Sequence, residues 1–292
     1  MSFNQIKFFS LSVLLLFSLA SCGGNPQEEA RVKLGQMNVK YNEESFVDAA
    51  RNGDVIALKY FLQAGMKPSV TDNKSETALI AAAKGGRTEV VELLLAHGAD
   101  VKTTDKQFGA TPLIWASISG NADTVKLLLD KGADLEVREE KNGMNAILVA
   151  SVRGQTEIVK LLAEKGADVN SRDRDGRTPL IWAAYGGQIE TVKLLLDKGA
   201  DINVRESSEG TTPLMSAASR GQSEVVKLLL DKGADLDVQD KSGKTALSYA
   251  RAAQKRDIEE MLLKAGAIPV KEESKEEKPP SALQPETKEK PE

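Results

Sequence analysis

Residues 173–205, DRDGRTPLIWAAYGGQIETVKLLLDKGADINVR, hold the pattern that decides the fold. Thr178 is placed to cap a helix, because a threonine hydroxyl accepts one of the backbone N–H groups that a helix start leaves free. Pro179 follows at the first helical position, where its missing N–H costs nothing. The next five residues, LIWAA, give a helix a small and closely packing face, and Gly186-Gly187 breaks it. The stretch therefore begins with one short helix.

A second helix completes the stretch. Its apolar residues are Val192 and Leu194–Leu196, and Gly199 is expected to end it with a positive φ. Helices shorter than about 12 residues are marginal in water. Each helix must therefore bury its apolar side against neighbours of the same kind.

The same pattern returns along the chain. The tripeptide GAD recurs at 98–100, 132–134, 166–168, 199–201 and 233–235, so successive copies start 34, 34, 33 and 34 residues apart. A fixed period of this length indicates stacked repeats, whose stability comes from contacts between neighbours. We therefore predict a helical solenoid.

The repeat resembles the ankyrin repeat, which carries T-P-L-H-x-A at a period of 33. Three copies are clear and three are weaker: Thr111-Pro112-Leu113, Thr178-Pro179-Leu180 and Thr212-Pro213-Leu214, then Thr77-Ala78-Leu79, Asn145-Ala146-Ile147 and Thr245-Ala246-Leu247. The resemblance implies an all-α ankyrin-repeat solenoid of about seven repeats with β-turn fingers over residues 44–270. The expected repeats are 44–71, 72–104, 105–138, 139–172, 173–205, 206–239 and 240–270, with the first and last as caps.

The chain departs from the family pattern in two ways. The histidine is absent, and apolar packing is expected to replace its bonds between repeats; the residues in its place are Ile80, Ile114, Leu148, Ile181, Met215 and Ser248. The third, fourth and sixth repeats also carry one extra residue in the turn before the first helix. Such insertions often mark a binding face, and sequence drift explains them equally well.

The N-terminus has the features of an export signal. The apolar run at residues 8–20 is too short to span a bilayer as a helix, which needs about 20 residues. It ends in LASC, residues 19–22, which resembles the bacterial lipobox. The resemblance implies a lipoprotein signal peptide over 1–21 and lipidation of Cys22, while Gly23 favours outer-membrane sorting. The alternatives are cleavage after Ala20, which leaves a free thiol, and a retained N-terminal anchor.

Two further segments are expected to lie outside the folded array. Residues 22–43 are predicted to be the lipidated N-terminus and a flexible linker, because they lack a strong apolar period. Residues 271–292 are rich in Lys, Glu and Pro and are predicted to be a disordered tail. The tail is interpreted as a solubilising end or, alternatively, as a spacer or interaction segment.

The composition argues against catalysis and nucleic-acid binding. One Cys and one His exclude an internal disulfide and make a structural zinc site implausible. The formal net charge of −4 gives no basic face for nucleic acid. No phosphate loop or nucleophile elbow is present, so we predict no catalytic residue, no metal and no cofactor. His97 is interpreted as a helix cap, and the recurring aspartates as turn residues: Asp100, Asp134, Asp168, Asp201 and Asp235.

The candidate binding residues vary between repeats while the frame stays fixed. The resemblance to ankyrin proteins implies that partners meet the concave face, which the turn tips and the ends of the first helices form. The predicted partner-binding residues are Lys84, Ile118, Val152, Arg153, Tyr185, Ser219 and Arg220 at helix ends, and Phe108, Arg174 and Arg177 in turns. The alternative is that these positions are exposed and simply free to vary. Trp115 and Trp182 are expected in the core, with partner contact as the alternative.

These observations predict a non-catalytic protein–protein interaction scaffold. It is expected to be a monomer held by lipid at Cys22 on a bacterial cell envelope, with the outer membrane favoured and the facing side left open. Its partner is a protein of unknown identity. The alternatives are a structural stand-off element without a dedicated partner and a secreted, host-directed effector.

Overall fold

The computed structural model describes residues 25–269 of the 292-residue chain. This part contains 15 α-helices and no named strand; its single isolated bridge joins Thr71 and Thr77. The helices are α1 (Pro26–Gln36), α2 (Glu43–Asn52), α3 (Val55–Gln63), α4 (Ala78–Lys84), α5 (Thr88–Ala96), α6 (Pro112–Ser119), α7 (Ala122–Asp130), α8 (Ala146–Val152), α9 (Thr156–Glu164), α10 (Pro179–Gly186), α11 (Ile189–Asp197), α12 (Pro213–Arg220), α13 (Ser223–Asp231), α14 (Ala246–Ala252) and α15 (Arg256–Lys264).

The helices form two compact units. Among the described residues, compact unit 1 comprises 25–150 and 157–168, and compact unit 2 comprises 151–156 and 169–269. In compact unit 1 the first helices α2, α4 and α6 contact one another in order, and so do the second helices α3, α5 and α7. In compact unit 2 the same holds for α10, α12 and α14, and for α11, α13 and α15. The predicted all-α solenoid fold is confirmed.

The helix starts follow from the threonines. Thr111, Thr178 and Thr212 each accept a hydrogen bond from the backbone N–H three residues later, at 3.3, 3.4 and 3.3 Å. A proline stands at the first position of all three helices. The predicted helix end at Gly199 is also confirmed, since its φ is 89° and it follows the C-cap Lys198. Gly permits this left-handed conformation without a steric cost.

The core is a stripe on each second helix and most of each first helix. In α11, Thr191, Val192 and Leu195 are buried, while Leu194 and Leu196 are only half-buried. Full burial of one aliphatic side chain contributes about 1.5–3 kcal/mol. Because these side chains bury against neighbouring repeats, the helices are stable only as a stack.

Apolar packing does replace the missing histidines, and hydrogen bonds between repeats accompany it. Ile80, Ile114 and Met215 are fully buried. In compact unit 2 the Arg172 guanidinium donates to the Arg205 carbonyl at 3.0 Å, and the Arg205 guanidinium donates to the Gln239 carbonyl at 2.7 Å. Arginines in the turns therefore link consecutive repeats.

The predicted flexible linker is wrong for residues 26–36. Asn25 caps α1 by accepting a hydrogen bond from the Gln27 N–H, and Pro26 occupies the first helical position. Ala30 and Leu34, four residues apart on one side of α1, are buried, and α1 contacts α3. Two apolar residues give only a weak sequence signal for a helix. They suffice to dock α1, because α1 packs on a side of α3 that no preceding repeat covers. The helix α1 therefore covers the N-terminal end of the stack of second helices.

Several predictions concern residues outside the described part. The signal peptide, Cys22, Gly23 and the tail 271–292 all lie beyond residues 25–269. Among the helices at 25–269, none has the length and apolar character needed to cross a membrane.

Candidate protein-binding surfaces

Each turn before the first helices α4, α6, α8, α10, α12 and α14 holds one carboxylate. The Asp173 carboxylate accepts hydrogen bonds from the N–H groups of Asp175 at 3.0 Å and Arg177 at 2.8 Å. The Glu206 carboxylate does the same in a longer turn, with Ser208, Glu209 and Thr211 as donors. The residues at this position are Asp72, Asp105, Glu139, Asp173, Glu206 and Asp240. Glutamate serves in two of the three turns that carry an extra residue, where its longer side chain reaches further.

The second oxygen of three of these carboxylates fixes an aromatic ring. The indole N–H of Trp115 donates to Asp105 Oδ2 at 2.7 Å, and that of Trp182 donates to Asp173 Oδ2 at 2.8 Å. The hydroxyl of Tyr249 donates in the same way to Asp240 Oδ2 at 2.7 Å. All three carboxylates are buried. The rings are therefore held at defined positions with their polar atoms satisfied, and their apolar faces remain for other contacts.

Hydrogen bonds lower the pKa of two turn carboxylates, Glu206 and Asp240. Burial acts to raise the pKa of Glu206, but hydrogen bonds from Ser208, Thr211 and Glu209 outweigh it and lower the pKa to about 2. Burial likewise opposes ionisation of Asp240, yet the Lys244 N–H and the Tyr249 hydroxyl hold its pKa below the ordinary value. The pKa of Tyr249 is raised, first by burial and then by Asp240. At neutral pH Glu206 and Asp240 are therefore charged, and the phenol of Tyr249 is a neutral donor.

In compact unit 1 the ring of Trp115 is partly enclosed by Lys84, Phe108 and Ile118. The Lys84 ammonium lies 4.0 Å from the ring centroid and also pairs with Glu76. The ring of Phe108 meets Trp115 edge to face, with centroids 5.8 Å apart. Ile118 packs with both rings against a buried group of side chains, Ala110, Ile114 and Val149. We call Lys84, Phe108, Trp115 and Ile118 the Trp115 cluster, and each of its members is half-buried.

In compact unit 2 the ring of Trp182 borders an open cleft of about 210 Å³. We call it the Trp182 cleft, and its lining residues are Arg177, Ile181, Trp182, Tyr185, Thr211, Met215, Ser216, Ser219 and Tyr249. The rings of Trp182 and Tyr185 meet edge to face at 6.0 Å. Two guanidinium groups lie over them, Arg177 at 5.1 Å from Trp182 and Arg220 at 4.6 Å from Tyr185.

The cleft follows from the residues that share one position in consecutive repeats. Trp182, Ser216 and Tyr249 stand four residues after the N-cap threonine of α10, α12 and α14. The small Ser216 between two large rings leaves the space, and Ser219 widens it. The residues at this repeated position therefore explain why the space opens between α10 and α14.

The predicted binding residues are only partly brought together. Compact unit 1 assembles Lys84, Phe108 and Ile118, and compact unit 2 assembles Arg177, Tyr185, Ser219 and Arg220. The remaining three lie outside these two groups: half-buried Val152 at the end of α8, exposed Arg153 after it, and exposed Arg174 in a turn.

The ring-holding aspartates Asp105, Asp173 and Asp240 were not predicted from the sequence. Their signal is a carboxylate nine or ten residues before an aromatic residue at the same position of the repeat. Trp182 and Tyr249, which line the cleft, were also not among the predicted binding residues.

Two structural interpretations from the sequence are confirmed. His97 is the C-cap of α5, and its Nδ1 lies 2.8 Å from the Leu93 carbonyl oxygen. The GAD aspartates hold turns: Asp100 accepts a hydrogen bond from the Lys102 N–H, and Asp201 accepts one from the Asn203 N–H. Over residues 25–269 no group of three or more potential ligands is arranged to hold a metal ion.

The stacked helix pairs, with fixed caps and variable side chains at helix ends and turns, define a helical-repeat scaffold. The family profile described as ankyrin repeats (3 copies) matches residues 46–139, 135–206 and 204–272, which is more than half of the chain. The chain therefore belongs to the ankyrin-repeat family. Ankyrin repeats are typically non-catalytic interaction domains, and their presence indicates a protein–protein interaction scaffold.

Two known proteins illustrate the similarity. The ankyrin repeat domain of human ASB11 superposes with a TM-score of 0.70 at 32% identity, over 77% of this chain and 99% of that domain. The mouse 2-5A-dependent ribonuclease is 34% identical over 91 residues, which are 31% of this chain and 12% of that protein. Because so little of the ribonuclease is matched, and only its ankyrin region, the similarity concerns the repeats alone.

Proposed function

We propose that this protein is a non-catalytic scaffold that binds a protein partner through the Trp182 cleft and is held at a bacterial cell envelope by lipid on Cys22. The observation that carries the binding proposal is Tyr185, which lies at the cleft with 40% of its surface exposed and with the Arg220 guanidinium above it. Trp, Tyr and Arg are the residue types that contribute most to protein interfaces.

The charges at the cleft support a partner that supplies acidic groups. No carboxylate among the described residues lies within ion-pairing distance of Arg220. Arg177 pairs with exposed Asp175 at 2.8 Å, an interaction that solvent weakens. A partner carboxylate that reaches Arg220 would gain a charge-assisted hydrogen bond without breaking an existing pair.

The rigidity of the cleft supports binding without rearrangement. Hydrogen bonds to Asp173 and Asp240 fix the rings of Trp182 and Tyr249 before a partner arrives. A surface whose side chains are already ordered loses less conformational entropy when a partner binds. The volume of about 210 Å³ lies below the range of about 300–1,000 Å³ that small-molecule sites occupy, which favours peptide side chains as occupants.

The anchoring proposal is supported by sequence. The apolar run and LASC at residues 19–22 have the order and size of a lipoprotein signal, with Cys22 as the modified residue. Attachment of several acyl chains would hold the protein firmly, because each buried CH₂ contributes about 0.8 kcal/mol. The expected site is the cell envelope, with the outer membrane favoured because Gly23 follows the cysteine.

Partner binding is tested by crosslinking in intact cells followed by affinity capture. The test variant combines Tyr185→Ala with Arg220→Glu, both in compact unit 2. The matched control combines Leu263→Ala with Lys227→Glu, because Leu263 has the same 40% exposure as Tyr185 and both residues lie on second helices. We expect the native chain and the control to capture the same protein and the test variant to lose it. Equal capture by all three would remove the cleft from the proposal and leave a structural stand-off element as the better reading.

Lipidation is tested separately with a labelled fatty acid. The label is expected in the native chain and absent from a Cys22→Ala variant. Equal labelling of both chains, or of neither, contradicts the lipid anchor while leaving the cleft proposal intact.

A further inference from the structure

The described chain ends in the repeat that supplies one wall of the Trp182 cleft. The Ile268 N–H donates to Asp237 Oδ1 at 3.2 Å, so the chain after α15 returns to the turn that precedes α14. Three residues after Asp237 stands Asp240, which holds the hydroxyl of Tyr249 in the cleft wall. The residues that follow Ile268 therefore leave from the repeat that supplies one wall of the cleft.

The sequence beyond this point contains one apolar stretch. Residues 279–285 read PPSALQP, with three prolines and Leu283, while residues 271–278 and 286–290 contain only Lys, Glu, Ser and Thr. Proline-rich segments favour the polyproline II conformation before they bind, so that little conformational entropy is lost on docking. Such segments are recognised by grooves lined with aromatic side chains.

The cleft has the lining that such a segment requires. Trp182, Tyr185 and Tyr249 supply aromatic surface, and Met215 and Ile181 supply the apolar floor. The polar atoms of Trp182 and Tyr249 are already bonded to aspartates, so these two rings offer their apolar faces for contact. Ser216 and Ser219 lie between the rings and add hydroxyl groups that can bond a peptide backbone.

The residues between Ile268 and Pro279 form a tether that is long enough to bring the segment to the Trp182 cleft. Pro279 lies 11 residues beyond Ile268 in the sequence, and at about 3.3 Å per residue such a length spans up to about 36 Å. The walls of the cleft come from α10, α12 and α14, which are consecutive neighbours. With axes about 8–10 Å apart, they lie within about 20 Å of one another.

The charges agree with docking. Glu276 and Glu277 precede Lys278 and the prolines, and Glu286 stands just after Pro285. At the cleft, the guanidinium groups of Arg177 and Arg220 lie over the rings of Trp182 and Tyr185. Carboxylates near both ends of the segment can therefore meet the two guanidinium groups at the cleft.

We propose that residues 279–285 of the same chain occupy the Trp182 cleft as a tethered ligand. A short tether gives a local concentration in the millimolar range. A segment with an intrinsic Kd of about 1 mM is then about half bound, while a partner that binds more tightly can displace it. Displacement of the segment by a partner rests on the proposed partner binding. Occupation of the cleft by the segment does not.

The test measures how well acrylamide quenches the fluorescence of Trp182 in the full chain, purified in mild detergent. The chain has two tryptophans, so Trp115→Phe leaves Trp182 as the only reporter. The segment variant carries Pro279→Ser, Pro280→Ser, Leu283→Ser and Pro285→Ser. The matched control carries Ser274→Ala and Pro291→Ser outside the segment. A second reporter chain with Trp182→Phe monitors Trp115, which lies in compact unit 1.

Occupation of about half predicts that quenching of Trp182 rises about twofold in the segment variant and stays unchanged in the control. A synthetic peptide of residues 276–287 at millimolar concentration is expected to restore protection to the segment variant. Tyr249→Ala in the cleft wall should remove the difference between the native segment and its variant. Quenching of Trp115 should stay the same throughout.

Equal quenching of Trp182 in the native and segment-variant chains overturns the proposal. An equal rise at Trp115 also overturns it, because the effect would not belong to the cleft. Protection that disappears on dilution would show that the segment binds a second copy of the chain, which contradicts tethered docking. Failure of the quenching test leaves the partner-capture result standing, and failure of partner capture leaves the quenching result standing, so the two proposals fail separately.

Discussion

Trp115 in compact unit 1 and Trp182 in compact unit 2 occupy the same position of two repeats, in two copies of the sequence LIWA. Both donate their indole N–H to a turn aspartate, at 2.7 and 2.8 Å. Both rings are half-buried, but Trp115 is partly enclosed by Phe108 and Lys84, whereas Trp182 borders a cleft of about 210 Å³. The local sequence therefore determines the hydrogen bond that holds the ring. The neighbouring repeats determine whether the ring is available for contact with a ligand.

The neighbours differ in size and charge at equivalent positions. Near Trp115, the position that Tyr185 fills in α10 is Lys84 in α4 and Ile118 in α6. Near Trp182, the same position in α12 is Ser219, whose hydroxyl donates to the Ser216 carbonyl at 2.9 Å. A large side chain and an ion-paired lysine cover Trp115, whereas two small serines leave the cleft beside Trp182 open.

The largest expected effect is on stability at the enclosed ring. Trp115→Ala should lower the free energy of unfolding of compact unit 1 by about 3 kcal/mol, because it leaves both a cavity and a buried carboxylate oxygen without its donor. Trp182→Ala should cost compact unit 2 less, about 2 kcal/mol, because the ring already borders open space. Native-state hydrogen exchange, read separately for the two units, measures both losses. Equal losses would mean that enclosure contributes nothing beyond the hydrogen bond, and the pair Trp115→Phe and Trp182→Phe isolates that bond.

Acid is expected to weaken the turn beside the cleft. Hydrogen bonds lower the pKa of Glu206 from about 4.5 in the unfolded chain to about 2. The charged form thus stabilises the folded state above about pH 5, and this contribution of about 2 kcal/mol is lost as the pH falls towards 2. Urea unfolding of the native chain and of Glu206→Gln across pH 2–7 checks the prediction. The variant should be less stable at pH 7 and show a flatter acid limb; parallel curves would assign the acid sensitivity to other groups.

Ser219→Ile should make the Trp182 cleft more like the Trp115 cluster. It places in α12 the residue that α6 carries at Ile118, and it is expected to fill part of the cleft. Partner capture or segment docking should weaken about tenfold, which corresponds to about 1.4 kcal/mol, with little change in stability. Titration of the captured partner, or of the 276–287 peptide, onto the variant measures the change. The exposed Ser242→Ile serves as control, and an equal loss there would point to a general effect of added apolar surface.

The smallest expected effect separates the two cations. Arg220→Gln removes only the contact with the ring of Tyr185, which is worth about 0.5 kcal/mol at an exposed site. Lys84→Gln removes the contact with Trp115 and the pair with Glu76, so it should cost about 1 kcal/mol. Thermal unfolding at low and high salt distinguishes them, since only the Lys84 variant should lose a salt-dependent contribution. The reverse order would show that Glu76 is held adequately by Arg51, its other partner at 2.8 Å.

The fold was predictable in most of its parts, because each part has a local signal. The threonine caps, the proline after them and the glycines with positive φ act within a few residues, and the structure has them where the sequence predicts. The helix α1 was not predicted, because Ala30 and Leu34 become buried only by packing on α3 in the folded protein. The candidate site was predicted less well. Four of its predicted residues, Tyr185 among them, meet at the Trp182 cleft, but the rings of Trp182 and Tyr249 and the aspartates that hold them were not among the predicted residues.

The sequence alone determined the repeat, its period, its caps and the identity of every variable side chain. The tertiary structure decided which of those side chains are enclosed and which remain available. The physical reason is that a helix cap depends on hydrogen bonds between near neighbours in the chain, whereas a cleft depends on volumes that residues about 33 positions apart contribute together. Trp182, Ser216 and Tyr249 are three ordinary members of a repeated pattern, and only their stacking makes the space between them a site.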